Sequence, residues 1–573
     1  MTFWPCRRTS IAAVTLVAMT AFSGHADAAP PESYPFAWST VVNNGDYMPT
    51  GSCDPTVPEP TSPPCRKFNS YNQPSVNADQ LVVMRARSRG GQGLGEPVHG
   101  IYTRDMAAGG PVVRVFDRDT LVPSPNNRDS VFNEPPSFPR IDIGSATLAS
   151  RGNHQPVWTV LNDAGEIVEQ VGTSGIYTNP FGRLITGASK LGGVPDFSFF
   201  EVPERPGTYF DVFPGAPAVT DGNTIVFKGN YTDGLRARTG VYYRELVNSP
   251  IFLADGTQLS PAGGTLPVVL IANNSTTVIP GTTTVFGSVA PPSAANHMAV
   301  FAGFDNEDNP TLGGIYLAPL AGSQPPLTTL VRIGEQVPGE NSKARFNRLG
   351  EGVSFDGRFV AFWGGWGSAT RTLVLQCPTE GAAERVAFCN DQYPHGFTAH
   401  VPVHQGIFVY DIRTRQTRVV VKTPTDFDDF LYWNFSGHVP GEGEDDGEPA
   451  RWRSSAFVAV SRRVDGSLTD AGFHTAFKAR TGKEVAGAYV DPVDGIYLRK
   501  GPGRARIVTV VETGMAGTLL DPEAVDPDTG AVLPVTAMGI ERDGFRGTSL
   551  VVNASMGDEE AGWAGIYLTE VGK

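Results

Sequence analysis

Three histidines, His395, His400 and His404, fall within ten residues of the segment Trp366 to Gln405. Imidazole is both a metal ligand and a general base, so this cluster could hold a divalent ion with an open position or take a proton from a bound sugar. The spacings of five and four match no helix-borne metal motif, and Pro394 and Pro402 argue against a helix. The plainer reading is surface and packing histidines in a loop, since no acidic partner is fixed by sequence.

A set of hard oxygen ligands follows in Glu444, Asp445, Asp446 and Glu448, preceded by Asp426, Asp428 and Asp429. Carboxylates at this density could hold Ca²⁺, the one cofactor the sequence suggests. Their register departs from the Asp-x-Asp-x-Asp-Gly loop, and an acidic run is ordinarily a solvated one. Aromatic residues surround both segments. Trp363 and Trp366 bracket the start of the histidine segment, Tyr393 lies inside it, and Trp433 and Trp452 flank the acidic run. Their rings could stack on sugars, or could pack between neighbouring structural units. No Gly-x-Ser-x-Gly elbow, phosphate loop or dinucleotide fingerprint is present.

The elements that must carry these residues are repeats. Gly-Ile-Tyr or a near copy recurs seven times, beginning at Gly100, Gly175, Gly240, Gly314, Gly406, Gly495 and Gly565. A β-rich run precedes each copy: Leu81 to Arg87, Ala146 to Gly152, Asn223 to Gly229, Met298 to Gly303, Arg358 to Gly364, Ala456 to Ser461 and Thr548 to Ser555. Extended runs before and after give four strands per unit, here lettered A to D, with Gly-Ile-Tyr in C. Successive glycines lie 65 to 92 residues apart, room for four strands and their loops. Seven such units predict an all-β chain folded as a seven-bladed β-propeller of four-stranded blades. The seventh C strand nearly ends the chain, so its D strand must come from the N-terminus, where Ala37 to Val42 would pair with the last blade and close the ring.

Composition agrees with this architecture and narrows the compartment. The 573 residues include 66 Gly and 47 Pro, with only 18% charged, which suits short strands and turns. Arg7 and Arg8, the apolar run Ile11 to Phe22 and Ala26-Asp27-Ala28 read as a secretory signal over residues 1–28, leaving 29–573 as a single propeller domain. Outside the signal stand Cys53, Cys65, Cys377 and Cys389, and an oxidising compartment favours the local disulfides Cys53–Cys65 and Cys377–Cys389. The net charge of −14 argues against nucleic acid as a partner, and no segment has the roughly 18 apolar residues of a membrane span. A monomer in the periplasm or outside the cell is expected.

One stretch carries a family likeness. Val353-Ser354-Phe355-Asp356-Gly357-Arg358-Phe359-Val360-Ala361-Phe362 resembles the Ser-Pro-Asp-Gly-Lys-x-Ile-Ala-Phe strand pair of TolB-type propeller repeats, with Phe355 where that family has Pro. The whole unit is similar to Gly-Ile-Tyr repeats of secreted bacterial propeller proteins. The resemblance implies a fold and transfers no catalytic residue. Two functions then compete. One is a secreted or periplasmic binding module that takes a protein or carbohydrate ligand on its loop-rich face. The other is a carbohydrate-active enzyme, a polysaccharide lyase or hydrolase, using the histidines of the 366–405 insertion. The binding module is the leading expectation and the enzyme its alternative.

Overall fold

A computed structural model describes residues 36–573, apart from 50–55, 58–64, 91–95, 127–129, 156–157, 162–166, 172–173, 380–382, 438, 440–448, 464–471, 502–505, 559–561 and 573. The expected signal segment, Cys53 and the acidic residues Glu444, Asp445, Asp446 and Glu448 lie outside the described residues. Seven antiparallel sheets follow one another along the chain, each with the strand order A-B-C-D. The B strands are Leu81–Ser88, Leu148–Gln155, Thr224–Asp233, Met298–Phe304, Phe359–Leu375, Phe473–Val485 and Ser549–Gly557. The C strands are His99–Asp105, Ser174–Thr178, Arg236–Glu245, Gly313–Pro319, Phe397–Asp411, Ala488–Lys500 and Gly562–Glu570. The expected closure is present: Trp38–Asn43 pairs with Gly562–Glu570 and serves as the seventh D strand.

A fixed register explains the repeated glycine. Opposite the Gly of every C strand stands a Gly or Ala of the B strand: Ala86, Gly152, Gly229, Gly303, Gly364, Ala479 and Ala554. In several blades the tyrosine two residues on folds back over its own glycine. A Cβ at Gly100, Gly240 or Gly565 would come within 2.5 Å of the Tyr102, Tyr242 or Tyr567 hydroxyl. A phenylalanine from the A strand region then meets the ring edge-on, as in Phe68–Tyr102 at 5.1 Å, Phe132–Tyr177 at 4.7 Å and Phe286–Tyr316 at 5.3 Å. Such pairs add about 0.5–1.5 kcal/mol each beyond the apolar area they bury. In all seven blades the D strand bulges opposite the Ile-Tyr step, which bends the outer strand and raises its twist.

The A strands are split in two. Their second pieces, Ser75–Val76, Arg140–Ile141, Ala218–Thr220, Ser293–Ala295, Ser354–Phe355, Val458–Arg462 and Phe545–Arg546, each touch the next and form a closed ring. In blade 6 this corrects the sequence reading. The run Ala456 to Ser461 is not strand B but the inner piece of strand A, and Phe473–Val485 is the strand that pairs with the Gly495 copy. Blade 6 also carries a hairpin, Tyr432–Ser436 with Arg451–Ser455, inserted between the two parts of its A strand. The outer part is the single bridge Asp429 to Arg480. No helix among the described residues is long and apolar enough to cross a membrane.

Candidate functional site

The segment 366–405 is not a loop. Strands B and C of blade 5 continue past the other blades, pairing Thr370 with Pro402 through Leu375 with Phe397, after a bulge beyond Trp366. At the tip sits the helix Ala383–Gln392, ending just ahead of Pro394 and fastened by the Cys377–Cys389 disulfide. Cys65 is disulfide-bonded as well. Blade 6 extends its own B–C hairpin alongside, and the Val374 amide donates to the Gly487 carbonyl at 2.8 Å, joining the two.

The inserted hairpin of blade 6 packs against this extension through aromatic rings. Phe397 stacks on Trp452 at 6.3 Å and 12°, and Trp452 in turn meets Phe435 at 5.6 Å. Tyr393 touches both Phe397 and Phe435, at 5.3 and 6.1 Å. Beside this seam opens a groove of about 430 Å³, walled by Trp363, Phe397, His400, Trp433 and Trp452, with Arg348, Arg451, Arg453, Glu307, Asp308 and Glu351 around it. Arg451 is paired with Glu307 and lies 3.6 Å from Asp308, which ties the hairpin to blade 4.

Under the groove is a buried polar chain that sequence pattern did not reveal. Trp363 Nε1 donates to Gln405 Oε1 at 2.9 Å, and Gln405 Nε2 donates to Asp429 Oδ1 at 2.8 Å. Asp429 also accepts the Tyr489 hydroxyl at 2.7 Å and faces Arg371 Nη2 at 2.6 Å. Asp429 is fully buried, so this set of partners offsets a desolvation cost of several kcal/mol. Nearby, burial lowers the Lys478 ammonium to about 8, opposed by Asp494 and aided by Arg480, while its Nζ lies 4.1 Å from the Tyr432 ring centroid.

The residues singled out by sequence are distributed unequally about this groove. His400 is exposed on its wall, with Nδ1 3.4 Å from Thr372 Oγ1. His404 is half-buried and stacks on Trp366 at 6.0 Å, and His395 is exposed in the turn after the helix. The three histidines do not converge. Among the described residues no group of three His, Cys, Asp or Glu side chains is placed to hold a metal ion. Trp363 and Trp366 are each only 4% exposed, Trp433 lines the groove, and Tyr393 serves the seam. Arg348, Phe397 and Arg451 were missed. Their only signal in the sequence is their closeness to the two insertions.

No family model matches the chain, and no curated protein matches it. Among solved structures it is similar to a mutant of Trypanosoma rangeli sialidase displaying trans-sialidase activity, at 10% identity and a TM-score of 0.29, over 91% of this chain and 69% of that one. The tricorn protease follows at 9% identity and a TM-score of 0.15, over 87% and 52%. A fructan 1-exohydrolase IIa variant from Cichorium intybus in complex with 1-kestose follows at 8% and 0.19, over 93% and 96%. At such scores these likenesses carry no argument about activity. The propeller rests on the chain's own strand pairing.

Proposed function

We propose that this chain is a binding module of the periplasm or cell exterior, holding a carbohydrate in the groove between the blade 5 extension and the blade 6 hairpin. The observation that carries the reading is a pair of indole donors. Trp433 Nε1 and Trp452 Nε1 are buried without a hydrogen-bond partner among the described residues, and both side chains line the groove. An unsatisfied buried donor costs about 1–3 kcal/mol, and a turn of the indole that brings Nε1 to a ligand hydroxyl or ring oxygen in the groove removes that cost. The aromatic wall suits the apolar face of a sugar ring. Because Arg451 is already matched by Glu307 and Asp308, a neutral sugar suits the groove better than a strongly charged one. The Cys377–Cys389 disulfide fits an oxidising compartment.

Calorimetric titration across a panel of neutral oligosaccharides tests this reading. Trp433→Phe keeps an aromatic ring, smaller than the indole, but loses the donor, and should weaken binding by about three- to tenfold. Unchanged affinity in both Trp433→Phe and Trp452→Phe would remove the groove from consideration. The enzyme alternative has a separate readout. Release of cleaved or unsaturated sugar, abolished by His400→Ala, would replace binding by catalysis.

A further inference from the structure

We propose that the Cys377–Cys389 disulfide is a redox-sensitive latch on the groove: oxidised, it holds the aromatic walls together, and reduced, it lets the blade 6 hairpin move away. Its consequence for ligands rests on the groove reading above. The coupling itself belongs to the unliganded chain.

The latch begins at a helix with little else to hold it. Ala383–Gln392 is ten residues long, and Cys389 is its one fully buried residue. A helix of that length is marginal in water without tertiary contacts. The disulfide joins Cys389 to Cys377, twelve residues back and just past the end of strand B of blade 5. The helix and the turn after it supply outer rings of the seam. Phe388 lies 6.4 Å from Phe435 of the blade 6 hairpin. The Tyr393 amide donates to the Cys389 carbonyl at 2.8 Å, and its ring meets Phe397 and Phe435. Phe435 in turn meets Trp452, and Phe397 lies 6.4 Å from Trp433. A continuous run of packed rings thus leads from the disulfide to both indoles of the groove. The tie of the hairpin to blade 4, Arg451 with Glu307, is partly exposed and holds weakly in water.

The chemistry is thiol–disulfide exchange with a dithiol reductant. Cys377 is half-buried and Cys389 fully buried, so the reductant meets the Cys377 sulfur first. Its thiolate attacks that sulfur, the S–S bond breaks, and the electron pair and then a proton go to the Cys389 sulfur. The second thiolate of the reductant displaces Cys377 from the mixed disulfide. Each protein sulfur has then gained one electron and one proton, and the reductant leaves as a disulfide.

Amide hydrogen exchange on the unliganded full-length protein, oxidised against dithiothreitol-reduced, tests the latch. Reduction should speed exchange about tenfold in Ala383–Gln392 and in the hairpin strands Tyr432–Ser436 and Arg451–Ser455, while the ring strands Thr224–Asp233 and Met298–Phe304 stay protected. Cys377→Ser/Cys389→Ser should reproduce that pattern without reductant, and reductant, which then opens the Cys65 disulfide, should add nothing at the hairpin. Maltohexaose or cellohexaose, whichever the parent binds, should bind the double variant about tenfold more weakly. If the parent binds neither, that loss falls on the groove reading, and exchange alone decides the latch. The proposal is overturned if the hairpin exchanges alike in both redox states, if it exchanges in the double variant as in the oxidised parent, if protection is lost evenly through the ring, or if a sugar bound by the parent binds the double variant equally.

Discussion

Arg140 of blade 2 is paired with Asp543 of blade 7 inside the ring of inner strands, with Nε and Nη2 donating to the carboxylate at 2.5 and 2.7 Å. Arg140 Nη1 donates to the Pro292 carbonyl of blade 4 at 2.7 Å, and Arg546 Nη2 shares Asp543 Oδ1 with Arg140 Nη2 while Arg546 also donates to carbonyls of Val460 and Phe355. One carboxylate and two guanidiniums thus join five blades.

Breaking this cluster should weaken the whole ring. Asp543→Ala leaves two buried cations uncompensated, and the expected loss is about 3–5 kcal/mol, measured by denaturant or thermal unfolding. Burial alone would raise the Asp543 carboxyl, but Arg140 and Arg546 outweigh it and hold it below its ordinary value. Its contribution is therefore present above an unfolded value of about 3.9 and lost as pH falls through the lower folded value. The variant should lose less stability than the parent on acidification below that point. Equal acid sensitivity in the two would contradict the assignment.

His474 should make stability fall earlier in an acid titration. Its ring stacks on Phe545 at 11°, its Nδ1 is buried without a partner, and burial lowers it to about 4, helped by Lys500 and Arg463. The unfolded chain takes up this proton near 6.5 and the folded one only near 4. Stability is thus full above 6.5 and declines between 6.5 and 4, by an amount on the order of 2 kcal/mol. His474→Phe should flatten the melting temperature across that window; an unaltered slope would assign the loss to other groups.

Gly240→Ala tests the reason for the repeated glycine. The new methyl would lie 2.5 Å from the Tyr242 hydroxyl and 2.6 Å from its Cζ, so the fully buried ring must shift against Phe210. Overpacking of this kind should cost about 1–3 kcal/mol in unfolding free energy. In a Tyr242→Leu background the same substitution should cost clearly less, because the clashing atoms are gone. Strict additivity of the two changes would reject the clash.

Strand B of blade 6 shows where sequence reasoning stopped. Val458–Arg462 opens on the apolar run Val-Ala-Val, whereas in Phe473–Val485 polar and charged residues break up Phe473, the Ala476-Phe477 pair and Ala479, although both strands bury apolar side chains between blades. Apolar pattern reports burial and not position in a sheet. The hairpin inserted within strand A displaced the expected spacing, so the first run took the place of the second. The helix Ala383–Gln392 was missed for a related reason. It is short and largely exposed, with Cys389 its one fully buried residue, so it leaves no apolar stripe.

The seven repeats, the strand order within a blade and the closure by Trp38–Asn43 were determined by sequence alone. The repeats and strand order follow from turns and alternation between neighbours in the chain, the closure from counting strands, since the seventh blade has no D strand after Gly562–Glu570, and the register of Gly against Gly or Ala is a local packing rule repeated seven times. The Arg140–Asp543 pair joins residues 403 apart, and the groove joins an extension of blade 5 to an insertion in blade 6. No short-range pattern encodes such meetings. They were decided by the curvature of the ring, which brings distant blades to one axis and neighbouring insertions to one face.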